Sequence, residues 1–121
     1  MPNESYRSLL VWQKAVDFAV FIYELLGKFP KHEQYGLVSQ MQRAAVSIAS
    51  NIAEGKERQS DRDFARFVTI SMGSLAELET QLLIAQRLGY LEELDWLEVC
   101  SRSDEIGKML RSLHKTLNIS N

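Results

Sequence analysis

The chain has 121 residues, of which 45% are hydrophobic and 25% are charged, and its formal net charge at pH 7 is −2. These values are typical of one soluble globular domain and exclude a disordered tail, a collagen-like rod and a disulfide-stabilised scaffold. The charge also argues against a strongly basic nucleic-acid-binding protein. Only two prolines and six glycines interrupt the chain, so the composition favours long helices.

The sequence predicts a cytoplasmic protein that has no membrane partner. Cys100 is the only cysteine, so no internal disulfide can form, which fits a reducing compartment. The first residues lack the basic start and apolar run of a signal peptide. The most apolar stretch, residues 15–26, includes Asp17 and Glu24. It is shorter than the roughly 20 apolar residues that a membrane span needs.

Apolar side chains recur at intervals of three and four residues in four segments, which is the pattern of amphipathic helices. The predicted helices span about residues 9–28, 33–56, 61–88 and 94–117. No strand pattern of useful length competes with them. Because the connections are short, the sequence predicts a single domain over residues 1–121 with an all-α fold, an antiparallel up-down-up-down four-helix bundle.

Residues at the predicted helix ends support these boundaries. Phe29-Pro30 ends the first helix, because the residue before a proline is pushed out of the helical region. Ser60 and Asp63 resemble a capping box at the start of the third helix. Gly89 fits a left-handed cap at the end of that helix.

Several residues of the predicted helices suggest an oligomer interface. Val20 and Phe21 are adjacent apolar residues near the charged face of the first helix, which indicates a contact with another chain. A polar stripe, spaced by three, four, four and three residues, lies along one edge of the second helix and consists of Gln40, Arg43, Ser47, Asn51 and Glu54. Gly73 and Ser74 are small enough to let another helix approach. A solvated face and a ligand-binding edge are the alternative interpretations of the stripe.

The sequence lacks motifs for catalysis or for metal binding. A diiron bundle needs Glu-x-x-His pairs on two helices, but Arg111 stands three residues before His114 and Phe29 three residues before His32. No phosphate-binding loop or nucleophile elbow is present. No motif fixes a base beside Cys100, which is therefore interpreted as a structural thiol. We expect a non-enzymatic protein with no cofactor and no metal.

Basic residues cluster around the turn between the second and third predicted helices. They are Lys56, Arg58, Arg62 and Arg66, with Arg43 further back on the second helix. Glu57, Asp61 and Asp63 lie between them and dilute the charge, so a mixed-charge solvated turn is one interpretation. In a ring of subunits the same charges would repeat around an axis and sum into a surface for RNA or DNA, which is the second interpretation.

Short runs of residues between about positions 6 and 117 resemble the bacterial four-helix bundle protein family, also called the S23 ribosomal protein or 23S rRNA intervening-sequence protein family. The most distinctive run is the Ser-Ile-x-x-Asn-Ile-Ala-Glu-Gly of residues 47–55. The other residues that carry the resemblance are Val11-Trp12-Gln13-Lys14-Ala15, Phe29-Pro30, Glu33, Tyr35-Gly36-Leu37, Gln40, Arg43-Ala44-Ala45, Arg58, Phe64, Phe67, Gly73-Ser74 and Glu77. Gln42 stands where the family typically has the first of two arginines.

The resemblance implies a small cytosolic all-α protein that assembles with itself into a ring-like homopentamer. The family is similar to the accessory variability protein of diversity-generating retroelements, a pentameric barrel that binds nucleic acid and a reverse transcriptase. This similarity implies an adaptor for nucleic acid or protein. Arg43 and Glu54 lie three turns apart on one helix, so an ion pair between them would join two helices or two subunits. The alternative function is a purely protein-binding module that uses Val20, Phe21 and the acidic fourth helix.

Overall fold

A computed structural model describes residues 5–119 of the chain and contains four long helices and, within that range, no β-strand. The helices are α1 (Leu10–Leu26), α2 (Leu37–Lys56), α3 (Asp61–Arg87) and α4 (Glu93–Ile119). Short 3₁₀-helices, Tyr6–Ser8 and Lys31–Glu33, precede α1 and α2. The predicted all-α four-helix bundle is confirmed.

Each helix packs against its neighbours in the chain, and α4 closes back on α1. Within the described residues, no Cα atom of α1 lies within 8 Å of one in α3, and none of α2 lies within 8 Å of one in α4. Hydrogen bonds between α2 and α3 join Ser47 to Ser74 and Gln40 to Gln81, so these two helices run in opposite directions. The four helices of the chain therefore pack in chain order around a shared core as an antiparallel bundle.

The core is built from the apolar faces that the periodicity predicts. Its largest apolar side chains with almost no exposure come from all four helices: Phe18, Ile22, Met41, Ile48, Ile52, Val68, Leu78, Leu82, Val99, Ile106 and Leu110. Burying an apolar side chain of this size stabilises a fold by roughly 1.5–3 kcal/mol relative to leaving it exposed. The stability of the bundle therefore comes mainly from these interdigitating faces.

Caps define α3 at both ends. The Ser60 hydroxyl accepts a hydrogen bond from the Asp63 main-chain N–H at 3.1 Å, as the sequence predicts. After the helix, Gly89 adopts a φ of +80°, and the N–H of Tyr90 donates to the Ala85 carbonyl at 3.0 Å. This is a Schellman ending, in which a left-handed glycine lets the chain satisfy the last free carbonyls.

The start of α2 differs from the sequence prediction. The predicted helix begins at residue 33, whereas α2 begins at Leu37. Residues Lys31–Glu33 form a separate 3₁₀-helix after Pro30, and Gly36 leaves the helical region with φ −113° and ψ −107°. The apolar periodicity could not reveal this break, because the first residue of the apolar stripe is Leu37 and the break lies before it.

One end of the bundle is closed by a contact between its two longer connections. The Tyr90 hydroxyl donates to Glu33 Oε2 at 2.9 Å, and its ring packs on Phe29 with centroids 5.3 Å apart. The hydrogen bond to Glu33, then burial, then the negative charge of Glu33 raise the pKa of Tyr90. The neutral hydroxyl is therefore the form that this end of the bundle favours.

Two glycines on the facing helices have opposite surroundings. A Cβ atom on Gly55 would lie 2.6 Å from Phe67 Cβ and 2.9 Å from Phe64 Cδ1, so α2 and α3 meet too closely there for any side chain. A Cβ atom on Gly73 would have no neighbour within 4 Å. Close packing at Gly73, which the sequence suggests, therefore does not occur within one chain.

We expect Gly55→Ala to destabilise the protein by about 1–3 kcal/mol, because the added methyl group overpacks the contact between α2 and α3. Urea denaturation followed by circular dichroism measures this change. Gly73→Ala is the matched control and should leave the free energy of unfolding unchanged or raise it by up to about 1 kcal/mol, since alanine favours helix and meets open space. Equal effects at the two positions would contradict the proposed close approach at Gly55.

Candidate functional site

A seam of polar side chains lies between α2 and α3, and we call it the polar seam. It consists of Gln40, Ser47 and Asn51 from α2 and Ser74, Glu77 and Gln81 from α3. The Ser47 and Ser74 hydroxyls are hydrogen-bonded at 2.9 Å, and Asn51 Nδ2 donates to Ser47 O and Oγ, each at 2.9 Å. The structure thus places four of the predicted interface residues in the seam: Ser47, Asn51 and Ser74 in one hydrogen-bonded group and Gln40 in a second.

Gln81 is a seam residue that the sequence reasoning missed. Its Nε2 lies 3.4 Å from Gln40 Oε1 and 3.4 Å from Glu77 Oε2, and its side chain is only 6% exposed. Its carbonyl oxygen, Oε1, is buried and has no hydrogen-bond partner, a state that costs about 1–3 kcal/mol. The spacing of Ser74, Glu77 and Gln81 by three and four residues was the available signal, since it mirrors the stripe on α2.

Arg43 and Glu54 do not pair with each other in the described part of the chain. Arg43 Nη1 donates to Ser39 Oγ at 2.7 Å, and Glu54 forms an ion pair with Arg58 at 3.1 Å. Both partners lie four residues away on the helix or just past it, so local geometry satisfies each side chain. An Arg43–Glu54 pair between subunits stays a prediction.

Val20 and Phe21 lie in different environments. Val20 is 54% exposed. Phe21 is half-buried, because the Arg102 guanidinium of α4 covers its ring at 4.3 Å from the centroid. Of the two, Val20 offers the larger free apolar surface to another chain.

An apolar groove, which sequence reasoning also missed, runs along the surface between α1 and α2. Its volume is about 560 Å³, and its lining residues, none of them charged, are Tyr6, Trp12, Val16, Ala19, Val20, Tyr23, Val46, Ala49, Ser50 and Ala53. The groove is wide because three of the α2 residues facing it are alanine or serine. It depends on two helices at once, so the periodicity of either helix alone could not reveal it.

The predicted basic cluster is arranged around one aromatic ring. The guanidinium carbons of Arg58 and Arg66 each lie 4.7 Å from the centroid of Phe67. Arg62 is exposed and Lys56 is half-buried. Arg43 stands apart, because the 13 residues of helix that separate it from Lys56 span about 20 Å. The structure therefore gathers the cluster at the turn between α2 and α3 without Arg43.

The surroundings of Cys100 favour its protonated form. The thiol borders a cavity of about 280 Å³ between α3 and α4, where the Ser103 hydroxyl donates to Glu79. Burial, then the negative charges of Asp104 and Glu79, raise the pKa of Cys100. No group of three or more His, Cys, Asp or Glu side chains in residues 5–119 could hold a metal ion. The same range contains no helix long and apolar enough to span a membrane.

Comparisons with known proteins relate this bundle to one family. The family model described as 23S rRNA-intervening sequence protein matches residues 7–112. A crystal structure at 1.70 Å of a protein with unknown function from the S23 ribosomal protein family of Bacteroides thetaiotaomicron VPI-5482 is similar, with a TM-score of 0.81. That chain is 29% identical, and the similarity covers 88% of this chain and 96% of the other. No curated protein matches the chain.

We expect Cys100 to react slowly with iodoacetamide at pH 8, because its raised pKa leaves less of the reactive thiolate than a free cysteine has. The rate of alkylation should rise only at a higher pH than in the same chain unfolded in urea, which serves as the control. Since Cys100 is the only cysteine, mass spectrometry of the intact chain follows it without ambiguity. A folded protein that reacts as fast as the unfolded chain would contradict this interpretation.

Proposed function

The chain belongs to the 23S rRNA-intervening sequence protein family, and from this we propose that it is a non-enzymatic adaptor that works as a homo-oligomer. The observation that carries the proposal is the uncharged groove between α1 and α2. Its exposed members include Val20 at 54%, Tyr23 at 46% and Val46 at 44%. A contiguous exposed apolar surface often marks a site of protein interaction.

The chemistry of the groove supports a protein partner. Aromatic side chains such as Trp12 and Tyr23 are enriched in the buried centres of protein interfaces, where charged residues are depleted. A second copy of the chain is the partner that we propose. The family resemblance further favours a pentamer located in the cytoplasm.

The non-enzymatic part of the proposal is supported by how the polar side chains are used. Ser103 donates to Glu79, and Ser47 and Ser74 bond to each other. Burial and nearby carboxylates favour the protonated form of Cys100. Ser47 and Ser74 bond to neutral groups, and the pKa of Cys100 is raised, so none of these three has the adjacent base or lowered pKa that a nucleophile needs.

We expect the wild-type protein to sediment as an oligomer at micromolar concentration and Val46→Glu to convert it into a folded monomer. The new carboxylate would have to lose its water in an apolar interface, which is strongly unfavourable. Analytical ultracentrifugation measures the mass, and circular dichroism confirms that the fold is kept.

The matched control is Leu97→Glu, which places the same charge at an exposed apolar position of α4, 55% exposed and outside the groove. This variant should keep the wild-type mass. A monomeric wild-type protein would overturn the proposal of self-assembly.

Nucleic-acid binding is a second candidate function, and the arrangement around Phe67 favours it. Two guanidinium groups stacked on one ring are held at defined positions and remain partly exposed, so their charge can reach a phosphate backbone. The segment from Glu54 to Arg66 contains four basic and four acidic residues, so a single subunit offers little net charge. Assembly would multiply the cluster. A module that binds only proteins is the alternative.

We expect the double variant Arg58→Ala/Arg66→Ala to lower the affinity for structured RNA at least tenfold at about 50 mM salt, where phosphate contacts are strongest. Electrophoretic mobility shift and its salt dependence measure this loss. The control, Arg111→Ala/Lys115→Ala, removes the same charge from exposed positions of α4 and should have little effect. No RNA binding by the wild-type oligomer would leave the protein-only alternative.

A further inference from the structure

The outer part of the polar seam is short of hydrogen-bond donors. Gln81 Nε2 is the one donor shared by the Gln40 carbonyl oxygen and the Glu77 carboxylate, both at the edge of hydrogen-bonding distance. Gln81 Oε1 receives no hydrogen bond at all. Within residues 5–119, Glu77 forms no ion pair. Two acceptor groups therefore share a single amide, and a third acceptor has no donor.

Arg43, in contrast, has more hydrogen-bond donors than acceptors around it in the described residues. A guanidinium carries five N–H donors, but the one hydrogen bond described for this side chain goes to the neutral Ser39 hydroxyl. Within the described residues it has no carboxylate partner. The side chain is exposed. It lines a surface cavity of about 560 Å³ together with Tyr23 and Val46, which also belong to the apolar groove.

The Arg43 guanidinium and the Glu77 carboxylate lie at the same level of the bundle but are not paired with each other. Gln40 faces Gln81 and Ser47 faces Ser74, so Arg43 lies level with the Glu77 region of α3. Within the described residues, however, its guanidinium bonds to Ser39 and forms no ion pair with Glu77. The described part of the chain thus presents a cation without an ion-pair partner, Arg43, next to the apolar groove. It presents an anion without such a partner, Glu77, at the same level of α3.

We propose that Arg43 of one copy binds Glu77 and Gln40 of a second copy, and that this ion pair fixes the register of the contact made at the apolar groove. The inference rests on the proposed self-assembly. A bidentate contact of guanidinium with carboxylate supplies the donors that the seam lacks. Gly73 lies one helical turn before Glu77, and no neighbouring atom occupies the space above it. A helix of the second copy therefore has room to approach this part of α3.

Charge reversal tests the pair. Arg43→Glu and Glu77→Arg should each weaken self-association about 100-fold, because each places like charges together in the interface. The double variant Arg43→Glu/Glu77→Arg should recover association to within about tenfold of the wild type. Sedimentation measures association, and circular dichroism with thermal melting shows that each variant is folded. Arg87→Glu, a charge reversal at an exposed position near the end of α3, is the matched control and should not change association.

Mixing the two single variants separates a contact between copies from one within a chain. The carboxylate introduced at position 43 of one variant then meets the guanidinium introduced at position 77 of the other, and the unaltered Arg43 meets the unaltered Glu77. The mixture should associate more strongly than either variant alone. Because a closed ring of five copies would keep one contact between like variants, mixed dimers and tetramers are the expected species. If the double variant recovers but the mixture does not, the pair lies within one chain and the inference is overturned.

The remaining outcomes separate this inference from the proposed function. A wild-type monomer overturns both. A wild-type oligomer that Val46→Glu dissociates, but that withstands both single charge reversals, keeps the self-assembly and overturns the role of Arg43 and Glu77.

Discussion

Helices α2 and α3 approach so closely that the fully buried Ser71 hydroxyl of α3 donates to the Ile48 main-chain carbonyl of α2 at 2.8 Å. Such an approach requires a small residue at the contact, and Gly55 supplies it on α2, against Phe64 and Phe67 of α3. Helix α1 packs against α2, α4 packs against α3, and α1 and α4 also contact each other, so the close α2–α3 pair forms one side of the bundle. The polar seam, the groove and the basic turn all take their positions from α2.

The sequence reveals the number, order and buried faces of the helices, because amphipathic periodicity reports directly on burial. It also reveals the ends of α3, where Ser60 and Gly89 act through local geometry alone. It does not reveal the start of α2, because the 3₁₀-helix at Lys31–Glu33 leaves the polar pattern unchanged. Nor does it separate Gly55 from Gly73, since both are helical glycines and only the neighbouring helix decides which of them needs the missing side chain.

The candidate sites are less predictable than the fold, because they depend on side chains from more than one element. The stripe on α2 is visible in the sequence, but its partner Gln81 is on α3 and becomes recognisable only once the two helices are aligned. Within the described chain, Arg43 and Glu54 bond to Ser39 and Arg58 instead of to each other, and a contact between subunits stays a prediction. A short-range partner four residues away competes with a distant one, and a spacing argument cannot decide between them.

Phe67 takes part in two contacts that restrict how its position can change. Its Cβ lies against Gly55, while its ring carries the guanidinium groups of Arg58 and Arg66. A side chain at position 55 would clash with the Cβ of residue 67 and with the Phe64 ring, so it would be accommodated only if both residues moved away, and moving residue 67 would displace the platform beneath the two arginines. Substitutions at positions 55 and 67 are therefore coupled. An evolutionary path that alters the packing of α2 on α3 at this point must also alter how the charges of Arg58 and Arg66 are presented.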